Sequence, residues 1–294
     1  MSRLLIAPAA LLALLSTPAF AQDAQLPPAD TGAVTQPAAD IDLDRDTVTA
    51  GVVAVYLPDY EGSSHYRWTG APAAIGSVKG FAFTLAGNRV SVDLIPNPPG
   101  PKWDIQAGPI ALVNFNRTTL SQIDDPRIRA LGKLDTAIEL GGYVGIGKTG
   151  VITSPYDKLS VSVSYRHDVS GVHDAGIWQP TVNYFTPLSL KAAFGLFASA
   201  ERAERGYAQT YFGITPAQSV ASGFTTYSPR GGWKNWGVGA LGTYSLTGNL
   251  LHGVKLVAGG TYRRMLNDFG NSPVTRIAGS KNQWLGAVGL AYTF

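Results

Sequence analysis

From Thr47 onward, apolar side chains recur at every second position and not at every third or fourth. The stretch KLSVSVSYR sets Leu159, Val161, Val163 and Tyr165 on one face and Ser160, Ser162, Ser164 and Arg166 on the other. HGVKLVAGGTYRR repeats this with Val254, Leu256, Ala258 and Tyr262, and AIELGGYVGI sets Ile138, Leu140, Val144 and Ile146 against Glu139 and Tyr143. A period of two marks strands with two unlike faces. Such runs start near Thr47, Arg67, Gly80, Arg89, Trp103, Asp135, Asp157, Asp174, Lys191, Gly232, Asn249 and Asn282. The chain is therefore all-β, with about twelve strands (10–14).

A sheet of this size must hide its apolar face, inward in a soluble sandwich or lipocalin-like barrel, or outward against lipid. The connections favour lipid. PNPPGPK, TPLSLK and LTGN are short, whereas TTLSQIDDPRIRAL, RGYAQTYFGITPAQSVASGFTTYSPRG and NDFGNSPVTRIAGSK are long. Short turns on one side and long loops on the other predict a transmembrane antiparallel β-barrel over 47–294, with short periplasmic turns and long extracellular loops. Fixing each strand's direction sorts its aromatics into two belts. Tyr56, Phe115, Tyr165, Trp178, Trp236, Tyr262 and Trp284 fall at the outer end, and Trp103, Tyr184, Phe194, Tyr244, Tyr292 and Phe294 at the inner end. Trp236 to Tyr244 covers about 20 Å at roughly 3.3 Å per residue and about 40° of tilt, close to the apolar band of about 25 Å.

Residues 1–21, MSRLLIAPAALLALLSTPAFA, have the charged, apolar and A-x-A order of a cleaved signal peptide, and the apolar run is too short to span a bilayer. Residues 22–46 are rich in Pro, Ala and Asp without periodicity and predict a disordered periplasmic lead. No cysteine is present, which excludes lipid attachment, disulfides and thiolate metal sites. A net charge of +3 is too balanced to imply nucleic acid as a partner. Export without a helical anchor leaves the periplasm, the medium or the cell outer membrane, and the barrel pattern selects the last. The final strand ends WLGAVGLAYTF, whose alternate residues Val288, Leu290, Tyr292 and Phe294 resemble the insertion signal read by the barrel assembly machinery.

Several motifs carry a possible chemistry. GYVGIGKT, Gly142 to Thr149, fits the phosphate-loop pattern, but a phosphate loop needs a helix behind it and here Pro155 and another strand follow. No nucleotide is therefore expected, and no cofactor. The hairpin YRHDVSGVHDAG gathers His167, Asp168, Ser170, His173 and Asp174, residue types that could form a hydrolase or metal site, although Asp, Ser and Gly are also ordinary turn residues. Asp59 with Glu61, and Asp124 with Asp125, could hold a divalent cation or bridge to lipopolysaccharide, but read better as solvated loop acids. Asp93, Asp104, Glu139, Arg166, Lys191, Glu201, Lys255 and Arg263 take the lumen face, and their mixed signs predict a salt-bridged interior. In the longest loop Thr215, Pro216 and Gly223 predict a short capped helix that either folds over the barrel mouth or presents Tyr211 and Phe212 to a partner.

PDYEGSSHYR (58–67), YFGITPAQSVASG (211–223), SPVTRIAGSKNQ (272–283) and the final GLAYTF together resemble the MipA/OmpV family of outer-membrane proteins, the MltA-interacting proteins. The residues that carry the likeness are Tyr60, Glu61, Gly62 and Ser63; Tyr211, Phe212, Gly213 and Pro216; and Ser272, Pro273, Gly279, Ser280, Asn282 and Gln283. The family often has Asp before the Ser-Pro of the last loop. This chain has Asn271, so a role for an acid there does not carry over. The resemblance implies an outer-membrane barrel and, for some members, a scaffold joining a murein transglycosylase to a murein synthase. It implies no catalytic residue. The reading is a non-enzymatic scaffold or binding barrel among outer-membrane lipids and lipopolysaccharide. The alternative is a narrow diffusion channel or an adhesin-like surface-binding barrel.

Overall fold

The computed structural model describes residues 47–96 and 103–294. The expected signal peptide and lead, and most of the PNPPGPK turn, lie outside the described residues. Twelve antiparallel strands are described: β1 Val48–Pro58, β2 Tyr66–Val78, β3 Phe81–Ala86, β4 Arg89–Val92, β5 Trp103–Asn114, β6 Ala137–Thr149, β7 Lys158–Asp168, β8 Gly176–Pro187, β9 Ala192–Ala203, β10 Gly232–Ser245, β11 Gly253–Met265 and β12 Asn282–Thr293. Each pairs with its sequence neighbours, and β12 returns to β1, which closes the barrel. The seam runs from Thr49 opposite Thr293 to Tyr56 opposite Gly286. The largest offset from an expected strand start is at β11, which begins at Gly253 and not Asn249.

The faces divide as the period of two requires. Ile138, Leu140, Val144 and Ile146 on β6 are exposed on the outer wall while Glu139 between them is buried. Exposed apolar rows of this kind call for lipid around the barrel. Both belts show ring contacts. Tyr56–Trp68, Tyr165–Trp178 and Tyr262–Trp284 pack at 5.2, 4.8 and 4.9 Å at the outer end, and Tyr292–Phe294 at 4.9 Å at the inner end. Among the described residues no helix is long and apolar enough to cross a membrane.

The wall is uneven. β3 and β4 meet in a two-residue turn at Gly87 and Asn88 that reaches only to Ala73 on β2 and Leu112 on β5. This outer-side turn is short because the two strands stop part-way up the wall, a departure from long outer loops. Above it Asp59, Arg67 and Arg117 line a small polar cleft.

The glycines of GYVGIGKT belong to β6. A side-chain carbon at Gly145 would lie 2.9 Å from the Ser162 side chain on β7, and one at Gly147 would meet the Lys158 stem at 2.9 Å. Crowding between strands accounts for them. Lys148 faces outward with its ammonium 5.1 Å from the Trp103 ring centre at the inner belt.

Candidate functional site

The long outer loops fold into a cap. It contains the helices α1 Pro126–Ala130, α2 Arg205–Phe212, α3 Pro216–Ser222, α4 Asn267–Asn271 and α5 Pro273–Arg276, with one 3₁₀ turn at Leu120–Gln122. Thr215 caps α3 by accepting from the Gln218 N–H, Gln218 reciprocates, Pro216 opens the helix and Gly223 ends it at φ 74°. The cap has its own apolar core, which joins Tyr60, Ile128, Tyr211, Phe212, Phe269 and Val274 from four different loops. Tyr211 and Phe212 are buried there, so of the two roles weighed for this loop it folds over the mouth.

Most of the family-motif residues are joints of this cap. Tyr60 donates from its hydroxyl to the Ala278 carbonyl at 2.8 Å, and Ser272 donates to the Phe212 carbonyl at 2.6 Å. Ser63 bridges to Gly279, and the Ser280 N–H donates to the Gly62 carbonyl at 2.8 Å. Gly62 has φ 99°, and a side chain there would collide with Thr275. Gly213 ends α2, and Pro273 opens α5. Gln283 donates from Nε2 to the Ser63 and Ser280 carbonyls at 2.9 and 2.6 Å, and Asn282 accepts from the Tyr262 hydroxyl at 2.8 Å. Burial pushes the Tyr60 and Tyr211 hydroxyls well above the ordinary tyrosine range and lowers Arg117, also in the cap, to about 10.

Beneath the cap lies a lattice of buried charges. Arg166 on β7 reaches Glu139 at 2.5 Å and Glu201 at 2.8 Å. Lys234 on β10 lies 2.8 Å from both Glu201 and Glu61. The Tyr207 hydroxyl of α2 donates to Glu61 at 2.7 Å and lies 3.2 Å from the Lys234 ammonium. Asn114 and Asn235 donate to Glu139 and Glu201, and Gln179 bridges Arg89 and Arg166. Nearer the inner end Lys158 pairs with Asp104 at 2.5 Å, and Lys255 donates to Thr293. Between lattice and cap remain about 670 Å³ of atom-free space, part of it open solvent, of which about 60 Å³ admits the centre of a water molecule.

Several sequence readings change. Lys191 stands exposed at the β8–β9 turn and is not a lumen residue. Asp59 and Asp125 are buried, not solvated. Asp59 accepts the Asp124 N–H, and Asp125 caps α1 and pairs with Arg127 at 2.6 Å; that hydrogen bond from Arg127 holds its carboxyl below the usual range. Glu61 belongs to Lys234 and Tyr207. No cluster of three or more metal-ligating side chains occurs among the described residues. The His167–Asp174 hairpin does not assemble a triad. Ser170 donates to Asp168, His167 lies outside against Asp174 at 3.4 Å, and the buried His173 faces Glu139 at 3.4 Å. Val288, Leu290 and Tyr292 on the inner half of β12, and Phe294 just past its end, all face outward.

Lys234 and Arg89 escaped the sequence reading. At Lys234 the reason is a β-bulge between Trp233 and Asn235 in the pairing with β9. The extra residue lets Lys234 and Asn235 both point inward while Trp233 and Trp236 both face out, which breaks the alternation.

The family model described as MltA-interacting protein MipA matches residues 50–294. The chain belongs to the MipA family. The match covers every described strand but the first residues of β1, together with all of the cap. No curated protein matches the chain significantly. Among solved structures it is similar to the outer membrane channel DcaP of Acinetobacter baumannii, with 10% identity over 85% of this chain and 96% of that one at a TM-score of 0.39. It is also similar to the COG4313 outer membrane channel from Pseudomonas putida F1, with 11% identity, 89% and 100% coverage and a TM-score of 0.38. OmpT of Vibrio cholerae gives 7% identity, 85% and 97% coverage and a TM-score of 0.35.

Proposed function

We propose that this MipA-family barrel is a non-enzymatic scaffold or binding protein of the outer membrane, linked to enzymes that cut and build murein, and not an open diffusion channel. The observation that supports this reading is the cap drawn across the outer mouth. Glu61 of the β1–β2 loop and Tyr207 of α2 are tied to Lys234 on the wall, above a cavity in which only about 60 Å³ admits the centre of a water molecule. A diffusion channel needs a continuous watery path, and mixed-sign pairs that satisfy one another make no one-sign filter. The family's description as MltA-interacting supports a transglycosylase partner. Such a partner is met in the periplasm, so the lead at 22–46 is the segment with reach, about 25–30 Å as a flexible linker. The acids Asp40, Asp42, Asp44 and Asp46 suit a basic surface. Export through a signal peptide cleaved after Ala21 and insertion by the barrel assembly machinery complete the proposal.

The test is cross-linking in whole envelopes with wild type and with 22–44 removed. Murein enzymes recovered with wild type and reduced with the truncated chain support the role. Recovery of none with either form overturns it, as does steady conductance from the purified protein in a planar bilayer.

A further inference from the structure

The cavity beneath the cap has an unfinished side. Arg263 on β11 and Gln283 on β12 sit directly opposite each other in register, and both line the cavity. Among the described residues the Arg263 guanidinium makes no hydrogen bond or ion pair. Glu201 feels its charge, but the Glu201 oxygens already serve Arg166, Lys234 and Asn235. An arginine in a protein does not give up its proton, so a planar cation with free N–H forks stands at the cavity wall.

Gln283 supplies the complementary defect. Its Nε2 is committed to the Ser63 and Ser280 carbonyls, which fixes the orientation of the amide. Its Oε1 is buried with no partner. A buried acceptor left unmade is costly, and a bound group that donates to it removes that cost. Leu57, Leu112, Met265 and Leu285 give the same cavity an apolar share of its wall, and its acids Glu61, Glu139 and Glu201 are already paired with Lys234 and Arg166. At about 10–15 Å³ per water centre, 60 Å³ holds roughly four to six waters, the room of a molecule of a few heavy atoms.

We propose that this cavity binds a small organic acid with a hydrogen-bond donor beside its carboxylate, an α-amino acid or 2-hydroxy acid, with Arg263 holding the carboxylate and Gln283 Oε1 accepting from the donor. The forked guanidinium matches a carboxylate in two parallel hydrogen bonds. The ammonium or hydroxyl on the next carbon fills the orphaned acceptor, and a short side chain lies against Leu57 and Leu285. Water completes Gln283 but leaves Arg263 unneutralised. Chloride does the reverse. The scaffold role does not enter this argument, and the two fail independently.

Calorimetry on the folded, detergent-extracted full chain tests it with four probes: L-alanine, L-lactate, propionate and lactamide. Saturable binding of alanine or lactate in the millimolar range or tighter is expected. Propionate, which lacks the donor, and lactamide, which lacks the charge, should each be weaker by at least about tenfold. Arg263→Gln should remove binding of alanine and lactate while heat-modifiability in gels stays that of the folded barrel. Absence of binding by alanine and lactate overturns the proposal. So does equal binding of all four probes, competition by sodium chloride as effective as by lactate, or unchanged affinity in Arg263→Gln. If Arg263→Gln does not fold, the ranking of the four probes on wild type decides alone.

Discussion

The ammonium of Lys234 sits midway between two carboxylates of different origin, 2.8 Å from Glu201 on the barrel wall and 2.8 Å from Glu61 in the β1–β2 loop of the cap. Its position exists because of the bulge at Trp233–Asn235, and its ammonium is also 4.5 Å from the centre of the Tyr207 ring. One wall residue thus holds two cap elements down.

Removing it leaves two buried carboxylates short of a cation. Lys234→Met should destabilise the barrel by about 3–5 kcal/mol, the usual result of breaking a buried pair from one side. Glu61→Gln, which keeps a hydrogen bond to Tyr207 or Lys234, should cost less. Thermal unfolding in detergent checks the order. Planar-bilayer recording should show intermittent openings in Lys234→Met and none in wild type.

The cap core predicts a second effect. Phe212 is fully buried, its ring 5.3 Å from that of Phe269, and its carbonyl accepts from Ser272. Phe212→Ala should cost about 3–5 kcal/mol of cap stability. Because the cap is drawn from outer loops, the loss should appear as protease cleavage within 204–231 while the barrel still migrates as a folded species. Cleavage unchanged from wild type would show that the cap is not held by this core.

At the opposite end Asp157 organises the β6–β7 turn. Burial pushes its carboxyl up, but the N–H groups of Thr153, Val151 and Ile152 and the Tyr184 hydroxyl outweigh that and hold it well below the usual range. A carboxyl lowered on folding stabilises fully above its unfolded pKa, about 3.9, and the contribution is lost as pH falls through the folded value. Wild type should therefore lose unfolding temperature from about pH 4 downward. Asp157→Asn should start lower at pH 6 and fall less on acidification. Parallel curves for the two proteins would rule the turn out as the source.

The strands were legible because a wall with lipid on one side and a charged lumen on the other imposes the strict alternation seen at Leu159–Tyr165 and Ile138–Ile146. The inward acids Asp104, Glu139 and Glu201 follow from the same count. Lys234 was hidden because a bulge shifts the count by one residue, and nothing local in GGWKNWG announces it. Tyr60 and Phe212 were legible as motif but not as core, because their partners lie in loops far apart in sequence: Tyr60 bonds across 218 residues to Ala278. The capped helix at Thr215 was readable, since its signals lie within nine residues of one another.

Closure of the barrel rests on the β1–β12 seam, and the last residues of β12 carry its inner end. The Thr49 and Thr293 hydroxyls lie 2.6 Å apart across the seam, Lys255 donates to Thr293, and the Phe294 N–H donates to the Val48 carbonyl at 2.9 Å. On the outer wall the Phe294 ring packs on Tyr292, which in turn meets His252 at 5.7 Å. These rings lie at the inner belt, where aromatic side chains sit best at the membrane interface. Phe294→Ser leaves the backbone bond to Val48 available but removes the ring that anchors it. The expected outcome is normal export with less heat-modifiable protein in the outer membrane and more unfolded chain in the periplasm. Phe294→Tyr, which keeps an interfacial ring, should restore wild-type levels. Fractionation of the three strains at equal expression gives the answer, and equal barrel levels in Phe294→Ser and wild type would mean that closure does not depend on this ring.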